Sequence, residues 1–519
     1  MRIFSFSPFG YEGSLVSVEV DLRRGIPAVD VVGLADGAVK EARDRMRSAI
    51  CNSGFEFPPE RVLISLSPAD LKKEGAGFDL AIALAVLQAK SRLERGNLPL
   101  SDEDSVLVMG ELELCGKVRP VRGIHAAAAT AAAAGITNCI VPQDNCTEAQ
   151  EVCGMKVFSA GTLSKAFSAL NNPLLFVEAE SSSLIKKIPD NAVVIDGVLF
   201  PKIETGFEFS DISGQKFLIR GLQIAAAGRH NVLAFGPPGC GKTMALQKYP
   251  ALLPLLTFEE SRSVTRIYSL AGFLPPSQSC IQIPPFRMPH QTASIEGICG
   301  GGTACKPGEI SLAHNGVLFL DEAAEFRSSV LQMLRVPLES GCITLSRAGR
   351  SSVYPASFQL LMAANPCPCG NFGSKNKICL CSTRSIELYW KRFSGPLLDR
   401  IDIRIPVEIP KTSEHFSTEY LRREIACAVK IQRKRQNKRN NCLNAAEIEQ
   451  FCVLSPEGRH ILDSASSRFG FSPRASASCL KLARTIADMQ ASELITDEHI
   501  IEAISYRKNS GGLDFLGSE

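Results

Sequence analysis

No stretch of the 519-residue chain reaches the ~20 uninterrupted apolar residues that a membrane-spanning helix requires, so a transmembrane function is not expected. The opening segment, residues 1–22, has one early arginine but no sustained apolar core and no small-residue cleavage site. It reads as the first strand of a domain, not as a signal peptide, and the expectation is a cytoplasmic protein. Charge of one sign is scarce as well. With 57 Lys and Arg against 54 Asp and Glu, the net charge is +3, which neither calls for nucleic acid nor excludes it. A ring can gather basic residues in a pore without raising the overall pI. Clear internal repeats are missing. So is a disulfide framework: most of the 18 cysteines stand singly in apolar runs, as Cys51, Cys139, Cys342 and Cys479 do. There a thiol is a small hydrophobe, and no secretion signal argues otherwise.

What is present is an ordinary globular composition, 45% hydrophobic and 21% charged, over a length that calls for two or three domains. Residues 1–170 alternate between strand-like runs (14–22, 61–71, 106–112, 139–142) and helical ones (35–54, 79–89 and the alanine run after His125), which predicts a compact α/β unit. Residues 171–204 have no clear period and read as a linker. An α/β unit follows over 205–414, and residues 415–519 are almost wholly helical in pattern.

The second unit carries the chemistry. Gly236, Pro237, Pro238, Gly239, Cys240, Gly241, Lys242 and Thr243 fit GxxxxGK[ST] in full, directly after the apolar run 231–235 and before a helix. In that setting the glycines let backbone N–H groups curl around phosphates, and the helix N-terminus adds a favourable dipole. Lys242 is expected to reach the β- and γ-phosphates of ATP, and the Thr243 hydroxyl to ligate Mg²⁺. About eighty residues on, the apolar run 317–320 ends in Asp321 and Glu322. After a phosphate loop this pattern assigns Asp321 to Mg²⁺, through water, and Glu322 to polarising the attacking water. A further apolar run, 359–364, ends in Asn365, an amide able to orient that water. Arg400 lies at a turn between helix and strand and Arg474 at the start of a helix; unaided, each reads first as a solvated surface charge.

With these motifs in place, the sequence resembles the magnesium-chelatase-like AAA+ proteins of the ComM/YifB group. The resemblance is carried by residues 18–50, PADLKKEG (68–75), FRMPHQTAS (286–294), PGEISLAHNGVLFLDE (307–322), AANPCPCG (363–370), SGPLLDRIDI (394–403) and LARTIADM (482–489). It implies a AAA+ P-loop module with a C-terminal helical lid and a homo-hexameric ring binding ATP between subunits. Asn365 then resembles the sensor-1 residue, Arg400 the arginine finger that reaches a neighbour's γ-phosphate, and Arg474 the sensor-2 arginine. The implied function is an ATP-driven DNA helicase or branch-migration motor acting in natural transformation or recombination. An ATP-dependent remodeller of protein partners would share every nucleotide-site residue and stands as the alternative. No porphyrin site is expected. Ser478 stands where the family usually has a basic residue in the lid helix.

The N-terminal unit is similar to the Lon peptidase domain (ribosomal protein S5 domain 2-like). Gly77 stands at the position of the serine nucleophile and His125 at that of the lysine, so peptide hydrolysis is not expected.

Four further features bear on partners and metals. The insert 284–308 (Arg287, His290, Lys306) and the hairpin 345–355 (Arg347, Arg350) offer cations to a DNA strand in a pore; packing between subunits is the other reading. The run 430–440 is strongly basic but at helical spacing, which also fits a solvated face. Cys367, Cys369, Cys379 and Cys381 form two C-x-C pairs nine residues apart, open to a Cys₄ zinc site or to reduced thiols capping a turn.

Overall fold

The computed structural model describes residues 1–33, 37–69, 71, 73, 75–94, 105–178, 191–204, 206–274, 280–302, 305–347, 350–372, 377–408 and 414–507. None of the helices among them is long and apolar enough to cross a membrane.

The N-terminal unit is built on an eight-stranded mixed sheet. Its central strands are Arg2–Ser7, antiparallel to Ser14–Arg23 and parallel to Ser105–Val108. Strand periodicity divides the side chains between two cores. Val106 and Val108 face the helices Gly37–Asn52, Asp79–Glu94 and Leu163–Asn171, whereas Leu107 and Met109 face Ile124–Ala133. Burial on both faces is why these runs are apolar without clean alternation.

The second unit is a five-stranded sheet, parallel throughout, ordered Phe286–Arg287, Val317–Leu320, Gln359–Ala364, Val232–Phe235, Ile403–Pro406. All residues of the three central strands are buried, as a parallel sheet covered on both faces requires. The helices Thr418–Gln436, Pro456–Phe469, Pro473–Met489 and Asp497–Arg507 follow. Serine caps at Ser417, Ser455 and Ser472 start three of them, each accepting from a backbone N–H in the first turn. Their apolar faces join the helix Lys216–Gly228 and one face of the parallel sheet in a single core.

The stretch expected as linker, 171–204, carries structure of both neighbours. Val177–Glu178 pairs with Lys156–Ala160 as an edge strand of the first sheet. Ala192–Ile195 and Val198–Pro201 form a hairpin whose Val198 and Phe200 enter the core of the second unit. The basic run near 430–440 is a solvated face only in part: Lys430 and Lys434 are exposed, but its arginines are held. Arg435 makes two 2.8 Å bonds to the buried Asp488, Arg433 reaches the Leu255 carbonyl, and Arg439 donates to the Ala227 carbonyl. Burial lowers the Arg439 guanidinium to about 9.

The two α/β units meet along the helix Phe258–Ala271, which packs on Ile124–Ala133. Arg266 donates to the Tyr11 and Glu12 carbonyls and stacks 4.7 Å above the Tyr11 ring, while Ser269 donates to Glu148.

Candidate nucleotide-binding site

The phosphate loop leaves the C-terminal end of the strand Val232–Phe235, and the helix Lys242–Gln247 begins where it ends. Two glycines are fixed by geometry. A Cβ on Gly236 would sit 2.1 Å from the Val407 carbonyl oxygen, so only a bare Cα passes the neighbouring strand. Gly241 has φ +88 at the helix N-cap, a left-handed conformation that a side chain would strain. Cys240 points its thiol inward, 3.7 Å from Lys242 Nζ, which leaves the backbone to line the cleft.

Lys242 lies in that cleft, donating to the Gly236 and Pro237 carbonyls at 2.7 and 2.8 Å. Burial lowers its pKa, offset in part by Cys240, Asp321 and Glu322. The Thr243 hydroxyl donates to Asp321 Oδ1 at 3.0 Å, so a hydroxyl and a carboxylate oxygen converge at the mouth of the loop. Glu322 is exposed and has φ +48, a left-handed conformation costing of order 1–2 kcal/mol for a residue with a Cβ. Asn365 ends the strand Gln359–Ala364 and lies 3.5 Å from Lys242 Nζ through its Oδ1. These groups line one cleft of about 380 Å³, together with Pro238, Gly239, Gly241 and Met244. Its chemistry fits a nucleoside triphosphate with a hard divalent cation: one lysine for phosphate oxygens, and hydroxyl and carboxylate oxygens for Mg²⁺.

Arg400 and Arg474 are elsewhere. The register pairs Val232 with Ile403 and Phe235 with Pro406, and Arg400 precedes Ile403. It therefore sits at the N-terminal ends of strands whose C-terminal ends carry the phosphate loop, more than about 10 Å away across the sheet. Both arginines line a second cavity of about 460 Å³, which shares no residue with the first. They converge there on Glu339: Arg474 at 3.4 Å, and Arg400 in a closer pair, with a further 2.6 Å bond to the Pro396 carbonyl. The hydrogen bond from Arg400, and then the charges of both arginines, hold the Glu339 carboxyl below the usual carboxylate range.

Comparison with known proteins bears directly on this arrangement. The family described as "Magnesium chelatase, subunit ChlI" matches residues 208–415, "Subunit ChlI of Mg-chelatase" matches 18–145, and the ChlI C-terminal family matches 415–507. YifB of Escherichia coli is 40% identical over 506 residues, covering 96% of this chain and 95% of its own. Competence protein ComM of Haemophilus influenzae is 39% identical over 513 residues, covering 97% of each chain. The 38 kDa magnesium-chelatase subunit of Rhodobacter capsulatus is 30% identical over 31% of this chain and 50% of its own. The chain belongs to the magnesium-chelatase-like AAA+ family of YifB and ComM. That family implies ATP and Mg²⁺ as cofactors, and the donors lining this cleft fit them.

The loop after Asn365 gathers the four cysteines. The thiols of Cys367, Cys369 and Cys379 lie 3.4 to 3.7 Å apart. With Cys381 added, all four sulfurs fall within 4.8 Å of one another. A tetrahedral zinc with Zn–S of about 2.3 Å would separate its sulfurs by about 3.8 Å, so the donor set fits that ion. The Asn371 backbone N–H holds the Cys369 thiol down to about 6, poising it as a thiolate.

The cations expected to face a pore divide. Arg287 forms a bidentate pair with Glu309 at 2.7 and 2.8 Å and is not free for a phosphate. His290 is exposed and bonded only locally, to Thr292, and Lys306 is exposed. The hairpin Cys342–Arg347 and Arg350–Pro355 forms in register, but the side chains of Arg347 and Arg350 lie outside the described residues. Ser478, in place of a basic residue, donates to the buried Asp402, and Lys481 one turn later lines the cavity of Arg400. In the N-terminal unit, a Cβ on Gly77 would meet only Met109, at 3.7 Å, so there is space for a nucleophile but none is supplied. His125 is buried with neither ring nitrogen hydrogen-bonded. Glu339 and Lys481 gave no signal in the sequence, since neither falls in a spaced motif.

Proposed function

We propose that this protein hydrolyses ATP at the interfaces of a homo-hexameric ring and uses that energy to move DNA, as a cytoplasmic helicase or branch-migration motor. One observation carries the reading. Among the described residues lining the phosphate cleft, Lys242 is the sole cation, while two arginines converge at the far end of the same sheet. A γ-phosphate gathering charge in the transition state needs a second cation, and a neighbouring subunit presenting Arg400 would supply it. In this scheme Asp321 and Thr243 hold Mg²⁺, which neutralises phosphate charge when bound. Glu322 takes a proton from the attacking water, and Asn365 orients that water. The competence name of the Haemophilus relative supports DNA as the substrate. We assign one zinc ion to the four-cysteine loop, and to the N-terminal domain a Lon-like fold without peptidase activity.

The test compares ATP turnover alone, with single-stranded DNA and with unfolded casein. DNA should raise turnover severalfold and casein should not. Stimulation by casein but not by DNA would transfer the assignment to protein remodelling, and degradation of the casein would refute the inactive-peptidase reading.

A further inference from the structure

We infer that Glu339 is an internal latch on the two arginines, holding within one chain the place that a neighbour's terminal phosphate takes on assembly. The inference rests on the interface reading above, and three observations carry it. Glu339 offers one carboxylate oxygen to each of Arg400 and Arg474, so one acid bridges two cations from different domains. The acid is the outer partner: its side chain is 58% exposed, whereas that of Arg400 is 11% exposed and remains bound to the Pro396 carbonyl. The other acids lining the cavity have partners of their own. Asp399 pairs with Arg507, and Asp402 accepts from Ser478 and the Asn231 backbone.

An arginine pair carrying two positive charges against one carboxylate keeps an excess of charge at an exposed edge. Exposed ion pairs are weak and screened by salt, whereas phosphate oxygens accept stronger, charge-assisted bonds from guanidinium. A γ-phosphate presented by an adjacent chain therefore displaces Glu339 without breaking the bond that aims Arg400. Glu339 is thus a positioning residue: it keeps the arginines ordered and paired until a loaded neighbour arrives, and its release is a cost that assembly bears.

The experiment measures association of the full-length chain with a slowly hydrolysed ATP analogue, by sedimentation across protein concentrations, for the wild type, Glu339→Gln and Arg400→Ala. ATP turnover is measured in parallel. Removing the latch should lower the concentration at half-assembly by about three- to tenfold, weaken its dependence on salt, and leave turnover of the assembled protein within about twofold. Glu339→Asp, which keeps the charge, should retain the salt dependence of the wild type. Arg400→Ala should be inactive. An unchanged or raised midpoint for Glu339→Gln, with Arg400→Ala inactive, overturns the latch alone. Full turnover by Arg400→Ala overturns the interface reading and the latch with it.

Discussion

Thr243 Oγ1 and Asp321 Oδ1 meet at 3.0 Å although they come from different elements, the helix after the phosphate loop and the end of the strand Val317–Leu320. The contact fixes where a divalent cation would lie relative to Lys242, and it sets the division of labour between binding and hydrolysis. Lys242→Ala removes the only cation among the described residues lining the cleft and should weaken ATP binding by at least about a hundredfold. Glu322→Gln preserves shape but replaces an acceptor oxygen with an NH₂ donor and takes no proton; it should bind ATP normally and turn over about 10²–10⁴-fold more slowly. Equilibrium binding of a fluorescent ATP analogue and steady-state phosphate release separate the two. Wild-type turnover by Glu322→Gln would remove that carboxylate from the mechanism.

Arg400 faces away from the cleft of its own chain, so its loss should be felt next door. Arg400→Ala should bind ATP normally and hydrolyse it poorly. Mixed with Lys242→Ala, it should recover part of the activity, because some interfaces then pair an intact Lys242 with an intact Arg400. Phosphate release from co-assembled mixtures, titrated against each variant alone, reads this out. Absence of recovery in rings shown to contain both variants would mean that the site is not shared.

How far these sites could be read in advance depended on whether the chemistry is local in sequence. The phosphate loop, Asp321 with Glu322, and Asn365 each follow an apolar strand directly, and parallel strands deliver such ends to one edge. The motifs therefore carried the cleft. Arg400 and Arg474 needed the family resemblance, since nothing near either residue marks it, and their convergence on Glu339 joins positions 61 and 135 residues away. Charge runs misled for a related reason. Basicity is visible in the sequence but its partner is not, so Arg287 and Arg435 read as available although Glu309 and Asp488 hold them. The 171–204 stretch showed no period because the structure described there, one short edge strand and a hairpin, is too brief to give one.

Acid should loosen the fold through two buried histidines. Burial, with a smaller contribution from Arg229, pushes His314 down to about 4; burial, then Arg262 and Arg266, pushes His125 down to about 3. In the unfolded chain both take a proton near pH 6.5. Between about pH 6.5 and 4 the unfolded state therefore binds more protons than the folded one, and stability falls as pH falls, by up to about 3 kcal/mol per histidine. Denaturant unfolding at pH 7, 6 and 5 should show this slope. Since neither His125 nitrogen has a hydrogen-bond partner, His125→Leu should cost little at pH 7 and flatten the slope. An unaltered slope in this variant would place the linked proton elsewhere.

The four-cysteine loop tests whether a metal supports the nucleotide site. A Cβ on Gly370, between the two cysteine pairs, would lie 3.0 Å from Pro238 Cδ and 4.0 Å from Asn365 Cγ, so the loop packs against both the phosphate loop and the end of the third strand. Trp390 anchors its base by donating to the Pro366 carbonyl at 3.0 Å. Cys369 is exposed, and Cys379 and Cys381 are only partly buried, so core burial cannot by itself hold three of the four thiols in place. A metal would supply that ordering as folding energy. Protein purified without chelator should contain about one zinc per chain by elemental analysis. Changing Cys369 and Cys381 together to Ser should release the metal and lower ATP turnover or assembly, because Pro238 and Asn365 lose the surface they rest on. Metal-free wild-type protein with full turnover would leave the loop as a turn lined by reduced thiols.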